Sequence, residues 1–169
     1  STTTDNSVSS FSHESVWEWN ELFLKIERYA PGYRPGPAPT SLGYMGFAVY
    51  EACAPGFTEY KSIASHFPEV SIPKIEDGKE YHWPTVVNAV YFTMMPRYFV
   101  DQTTEHKTWM SQLNARLMAK YRAEVSQEVF ERSVERGNKV GEVVWNWFTN
   151  DPVAYNHYKN PFQGYDWKV

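Results

Sequence analysis

Thiol chemistry is almost missing from this sequence: Cys53 is the one cysteine among 169 residues. An intrachain disulfide and a cysteine-built zinc cage are thereby excluded. Cys53 lies among apolar residues in a helical pattern, which predicts a small core residue. No apolar run is long enough to cross a bilayer, and no charged-then-apolar leader opens the chain. Positive charge is also thin, with 16 Lys and Arg against 20 Asp and Glu. The basic residues are scattered singly or in mixed-sign stretches, so the electrostatic footprint of a nucleic-acid binder is absent.

Motifs that carry chemistry are equally scarce. A zinc protease needs two histidines one helical turn apart with a glutamate between them, and His13, His66, His82, His106 and His157 stand in no such relation. Phosphate-binding glycine loops and a Gly-x-Ser-x-Gly elbow are absent too. Glu105 precedes His106 at the expected start of a helix, where a carboxylate interacts with exposed amides and the dipole. Glu131 and Glu135 read as carboxylates on a solvated helix face, not as a glycosidase pair. No catalytic, cofactor-binding or metal-ligating residue is therefore expected in this chain.

Aromatic residues are what the chain has in quantity, with 7 Trp, 12 Tyr and 10 Phe. Most fall at helical spacing among aliphatic residues, which predicts a packed core; Tyr and Trp also suit a surface that another domain covers. Ser15 and Glu18 have the spacing of a capping box for a first helix with Val16, Trp19, Phe23 and Ile26 on one face, ending near Ala30. The proline-rich segment from Pro31 to Pro39 predicts a connector. Pro39 is placed to begin a second helix carrying Leu42, Met45, Val49 and Ala52, stopped by Pro55-Gly56. A short helix from Phe57 to His66 and an exposed loop through Ile72-Pro73 and Asp77-Gly78 come next.

Pro84 opens a third long helix with Val87, Val90, Tyr91, Met94 and Met95 inward, and Pro96 is expected to kink or break it. Thr103 or Thr104 caps a helix whose stripe is Trp109, Leu113, Arg116, Leu117 and Tyr121. Behind Ser126 as cap, Phe130, Val134, Gly137, Gly141, Val144 and Phe148 form the clearest apolar seam. Its two glycines cost about 1 kcal/mol each relative to alanine, which implies that a backbone or a bulky ring approaches them closely. Glu128 with Arg132 and Glu135 with Lys139 mark the opposite, solvated face. No alternating strand pattern interrupts these helices, so the fold class is all-α, an irregular multi-helix bundle. Residues 1–12 have the composition of a disordered tether, residues 13–150 form the helical domain, and residues 151–169 read as a linker.

Several short segments carry a resemblance. The stretch from Tyr44 to Gly56 with Tyr60-Lys61-Ser62-Ile63-Ala64, Trp19-Asn20, Tyr81-His82-Trp83-Pro84 with Asn88-Ala89, Arg97-Tyr98-Phe99, and Gly137 to Gly141 through Trp147 and Asp151 resemble the N-terminal half of bacterial vanadium-dependent haloperoxidase-like proteins, within the PAP2 acid phosphatase superfamily. Many relatives have an arginine where this chain has Thr40. The resemblance implies a catalytic bundle downstream, where a lysine, arginines and histidines hold vanadate or phosphate. Cations and amides neutralise such an oxyanion while a histidine bonds phosphorus or vanadium. Lys61, Arg97 and Arg116 do not stand in those motifs, and Ser-Gly-His is absent, so this chain alone is expected to be inert. Its partner is then the missing C-terminal catalytic domain, packed on the seam around Gly137 and Gly141. A homo-oligomer through that exposed seam is compatible with this. The tether-like composition of residues 1–12 is that of a remnant behind a removed export signal or a lipid-anchored cysteine, so an exported, periplasmic or lipid-anchored location is expected. The alternative is a free-standing helical module that uses its Trp and Tyr surface for a glycan or a protein partner. Such a module folds its C-terminal residues back, whereas a truncated domain leaves Tyr155 to Val169 unsupported.

Overall fold

The computed structural model describes residues 6–30, 36–99 and 101–159, with side chains as far as Tyr155. Six α-helices pack on one another and the described residues include no strand, so the fold is an all-α multi-helix bundle. They are α1 (Glu14–Glu27), α2 (Pro37–Cys53), α3 (Trp83–Tyr98), α4 (Thr104–Arg122), α5 (Gln127–Asn150) and α6 (Pro152–Lys159).

The centre of the bundle is α3, against which α1, α2, α4 and α5 all pack. Its composition dictates that place. Between Trp83 and Met95 it has no charged residue, and twelve of its sixteen residues are buried, with Phe92 the one exposed residue. Val87, Val90, Tyr91, Met94 and Met95 are all inside as expected. The helix runs on through Pro96 to Tyr98. So near the C-terminal end, the missing proline N–H deprives the helix of a single internal bond.

Helix ends agree with the sequence in two cases. Thr103 accepts from the His106 amide at 3.2 Å, and Ser126 accepts from the Val129 amide at 3.3 Å. In two others they differ. At α1, Ser12 accepts from the Glu14 amide at 3.2 Å, while Ser15 is buried inside the first turn and hydrogen-bonds Tyr121, so no capping box forms with Glu18. At α2 the helix begins at Pro37, not Pro39. Both prolines fall in the first turn, where an amide has no intrahelical acceptor to lose. The rest of the expected connector, residues 31–35, lies outside the described residues.

Three further expectations are corrected. Residues 57–63 are not helical, and only a single 3-10 turn forms at Ala64–His66. Tyr50 donates its hydroxyl to the Lys61 carbonyl at 2.6 Å, and the buried Glu51 accepts from Ser62 Oγ at 2.7 Å and the Ile63 amide at 2.8 Å. Helix α2 thus takes up polar groups that a helix here would have to bond internally. On α4 the buried line is His106, Met110, Leu117 and Tyr121, with Arg116 outside in an ion pair with Glu18. Residues 6–12 of the expected tether lie on the body: Trp83 donates its indole N–H to the Asn6 carbonyl at 2.9 Å, and Phe11 sets its edge on His82. Residues 1–5 lie outside the described residues.

Candidate functional site

The glycine seam of α5 is occupied from within the chain. A Cβ on Gly137 would stand 2.6 Å from the Ala89 Cβ, and one on Gly141 would stand 2.9 Å from Thr93. The close approach inferred from those glycines is real, and the approaching backbone is α3. The seam is therefore neither an exposed dimer face nor a free surface for a downstream domain, because Gly137 and Gly141 are buried.

Helix α2 carries glycines of the opposite kind. A Cβ on Gly43 or Gly46 would meet nothing within 4 Å. Its solvent-facing residues are Pro39, Gly43 and Gly46, and its one charged residue, Glu51, points inward at 1% exposure. The other long helices on the outside, α1, α4 and α5, all carry exposed charges. A peripheral helix with an uncharged outer face is incompletely accounted for by its own chain.

On one flank of that face, α1 and α2 both lean on α3 and leave an apolar groove of about 750 Å³. Val87 and Tyr91 form its floor, Val16 and Leu24 one wall, and Leu42 and Val49 the other. Leu24 is 48% exposed at its rim, and Trp17 on the same helix is 64% exposed. At one end lie Val8 and the Trp83 ring, which meet over Gly56, where a Cβ would stand 2.7 Å from Val8. Cys53 also borders the groove and is buried, with its thiol pushed up to about 12 by burial. A thiol so far from ionising is an apolar lining group and not a nucleophile.

Beneath the groove runs a polar chain. Trp19 donates its indole N–H to Asn88 Oδ1 at 2.9 Å, Asn88 donates to Asn114 Oδ1 at 2.8 Å, and the Tyr91 hydroxyl donates to Asn20 Oδ1 at 3.3 Å. Trp19 and Tyr91 stack at 5.9 Å between centroids, and burial pushes the Tyr91 phenol up to about 12. Trp19, Asn20 and Asn88, which the sequence singled out in separate short segments, thus meet in one place.

On the other flank of α2, four half-buried rings gather. Tyr44, Phe47 and Phe67 stand 5.0, 5.2 and 5.2 Å from the Trp147 ring, and together they line an open pocket of about 500 Å³. Asp151 borders it and accepts the Tyr44 hydroxyl at 2.7 Å on Oδ2, while Oδ1 accepts the Val153 and Ala154 amides at 2.9 and 3.0 Å. The Ala154 amide, the Tyr44 hydroxyl and the Val153 amide hold the Asp151 carboxyl below its ordinary range. Burial first, then Asp151, raises the Tyr44 phenol well above its ordinary value. Sequence reading took Asp151 as the point where periodicity stops; it is the cap of α6, which lies on α2 and α5 and sets Tyr155 against Phe148.

The cations are committed one by one. Arg97 forms a two-pronged pair with Glu142, Arg116 pairs with Glu18, and Lys139 with Glu135. Arg132 pairs with Glu128 and also donates to the Glu80 carbonyl at 3.0 Å. Arg136, which no sequence pattern flagged, is 4% exposed and donates to the carbonyls of Ala52, Glu51 and Pro73, clamping the 57–82 loop to α2 and α5. Lys61 is exposed, Glu105 lies in the first turn of α4, and Glu131 and Glu135 are exposed. Among the described residues no three His, Cys, Asp or Glu side chains are grouped to hold a metal, and no helix is long and apolar enough to cross a membrane.

His82 is 2% exposed, with Nδ1 at 2.8 Å from Thr85 Oγ1 and Nε2 at 3.1 Å from Glu124. Burial lowers its pKa, against the opposing pull of Glu124. The chain matches no family model, no curated protein and no solved structure.

Proposed function

We propose that this chain is the non-catalytic helical part of a vanadium haloperoxidase-like or PAP2-type phosphatase-like protein, docked on a downstream helical bundle that binds vanadate or phosphate. The observation that carries the reading is the uncharged, glycine-opened outer face of α2 beside the apolar groove against α1. The chain already shows how it uses such glycines, since Gly137 admits the α3 backbone; Gly46 leaves the same kind of space with nothing of this chain in it. We assign the docking surface to the α1 and α2 groove, because the α5 seam is filled by α3. The engaged cations Arg97, Arg116, Arg132 and Arg136 are in keeping with a chain that does not itself grip a tetrahedral anion. The whole protein would follow one of two chemistries, halide oxidation by peroxide if its anion site held vanadate, or hydrolysis of phosphate esters if it did not. An exported, periplasmic or lipid-anchored location belongs to the same proposal.

The test is expression of these residues alone and joined to their downstream sequence. Halide oxidation or phosphatase activity is expected only from the joined protein, and robust activity from residues 1–169 alone sinks the reading.

A second reading is favoured by one observation. Helix α6 packs back on α2 and α5, as a free-standing helical binding module would have it, with Tyr155 seated on Phe148. Residues 160–169, the rest of the expected linker, lie outside the described residues. Retention of these residues on immobilised glycans, with no downstream sequence present, separates this reading from the first.

A further inference from the structure

We propose that the pocket bounded by Tyr44, Phe47, Phe67 and Trp147 binds a small organic cation of the alkylammonium class, with Asp151 as its counter-charge. Three features of the pocket converge on this ligand. Its walls are four aromatic rings, each half-buried and so each with surface left to offer. The faces of such rings carry negative electrostatic potential and attract a weakly hydrated cation. No Lys, Arg or His is among the residues lining it, so nothing there opposes a positive guest. Asp151 supplies a full negative charge at the edge of the rings, kept ionised by two backbone amides and the Tyr44 hydroxyl.

The neighbouring geometry keeps the pocket open and stiff. Gly43 lines it and has nothing within 4 Å of where its Cβ would be. The indole is braced by rings from α2 and from the 57–82 loop, at 5.0 to 5.2 Å between centroids, so little ordering remains to be done on binding.

Other small guests fit less well. The polar side chains on the wall, besides the Tyr44 hydroxyl and the indole N–H, are Thr40 and Asp151. Thr40 already donates to the Gly36 carbonyl at 3.2 Å. A saccharide entering here would find few partners for the hydroxyls it turns to the wall. A calcium or magnesium ion would find one carboxylate in place of the six or more oxygens it needs. An alkylammonium ion loses little hydration and gains ring faces together with one charge partner.

The experiment titrates the full chain with choline chloride, following tryptophan fluorescence and amide resonances at constant ionic strength. A parallel titration uses 3,3-dimethylbutanol, its uncharged isostere. Saturable binding of choline, at least about tenfold tighter than the isostere, is expected from a cation–π site with a charge partner. Phe47→Leu removes a ring but keeps an apolar side chain, and is expected to weaken choline about tenfold. Asp151→Asn keeps an oxygen to cap α6 while removing the charge, and is expected to weaken choline and, when the titrations are repeated at a second ionic strength, to abolish the salt dependence of its binding. Where Asp151→Asn melts α6, Phe47→Leu decides the matter alone. Equal binding of choline and the isostere overturns the proposal, as does no saturable response up to roughly 50 mM, weaker than any site of this kind. Failure here leaves the docking reading untouched, because no residue that lines the groove also lines this pocket; the two meet only at the outer face of α2, where Pro39 and Gly43 border the pocket.

Discussion

Gly137 on α5 lies so close to Ala89 on α3 that a Cβ on the glycine would stand 2.6 Å from the alanine's own. The Val86 carbonyl is nearer still. Two helices meet backbone to backbone at this point, and the residue type in the middle of α5 is set by that meeting and not by helix propensity. Gly46 on α2 is the control the molecule itself provides, a helical glycine with no neighbour in reach.

The two glycines are therefore expected to respond in opposite directions. Gly137→Ala gains about 1 kcal/mol of helix propensity but forces α3 and α5 apart, and overpacking of this kind costs about 1–3 kcal/mol, so a net loss is expected. Gly46→Ala has nothing to displace and is expected to stabilise the isolated chain by about 0.5–1 kcal/mol. Urea unfolding midpoints at constant slope measure both. A stabilising Gly137→Ala would mean that α3 and α5 are not packed this closely.

Arg136 predicts a local effect as well as a global one. Its guanidinium satisfies the Ala52, Glu51 and Pro73 carbonyls from a buried position, which ties the 57–82 loop down at its middle. Replacing it by Met leaves the carbonyls without that donor and Glu51 without its nearby positive charge, at a cost of roughly 3 kcal/mol. Proteolysis within residues 57–80 is expected to accelerate before global unfolding does. Unchanged cleavage of that loop would show that Glu51, with Ser62 and Ile63, holds it without the arginine.

Periodicity carried most of the fold, because it reports which face a helix buries and little else. Of the line Val16, Trp19, Phe23, Ile26 the last three are buried, and of the line Phe130, Val134, Gly137, Gly141, Val144, Phe148 all but Val134 are; Val16 and Val134 are half-buried against the core. What periodicity does not report is the partner. The glycine pair of α5 announced a close neighbour without saying whether that neighbour was inside or outside the chain. Helix α3 is apolar on every side, and nothing in such a pattern says that it will fill the gap. The buried charges escaped for a related reason: Arg136 lies beside Glu135 and Glu51 between Tyr50 and Ala52, and a charge in a helical sequence reads as solvated until carbonyls from distant segments converge on it. The aromatic pocket was the least legible feature, since Tyr44 and Asp151 are 107 residues apart and meet through the turn into α6.

His82 gives the fold a pH dependence whose sign follows from burial. Its pKa is lowered from 6.5 in the folded chain, chiefly by desolvation, so the folded state holds it neutral where the unfolded state takes up a proton. The stabilisation is complete above pH 6.5 and is lost as pH falls from 6.5 toward the lower folded value, with a slope of at most about 1.4 kcal/mol per pH unit. The groups facing it are Thr85 from α3, Tyr121 and Glu124 from α4 and the turn after it, and Phe11 from the N-terminal segment, and the charge of Glu80, two residues before it, joins Glu124 in opposing the effect of burial. His82→Gln keeps a donor and an acceptor in place without the titration. The difference in unfolding free energy between the two proteins should narrow in the direction of the variant as pH drops from 7 to 5. A constant difference would mean that Glu124 raises the histidine as far as burial lowers it.

The chain from Trp19 through Asn88 to Asn114 links α1, α3 and α4, and it can be dissected by a double-mutant cycle. Trp19→Phe removes the indole N–H and some volume, leaving Asn88 Oδ1 buried with no indole donor; Asn88 is 0% exposed. A buried acceptor left in that state costs about 1–3 kcal/mol, in addition to the packing lost with the larger ring. Asn88→Leu removes the acceptor and also deprives Asn114 of its donor. The ring-size loss of Trp19→Phe recurs in the pair, but the unsatisfied acceptor does not. The double variant should therefore be more stable than the sum of the single losses predicts, by about 1 kcal/mol or more. Additive losses would show that the indole N–H and the amide do not share a bond, and that α1 is held on α3 by the stack of Trp19 on Tyr91, by the Tyr91–Asn20 hydrogen bond and by apolar packing.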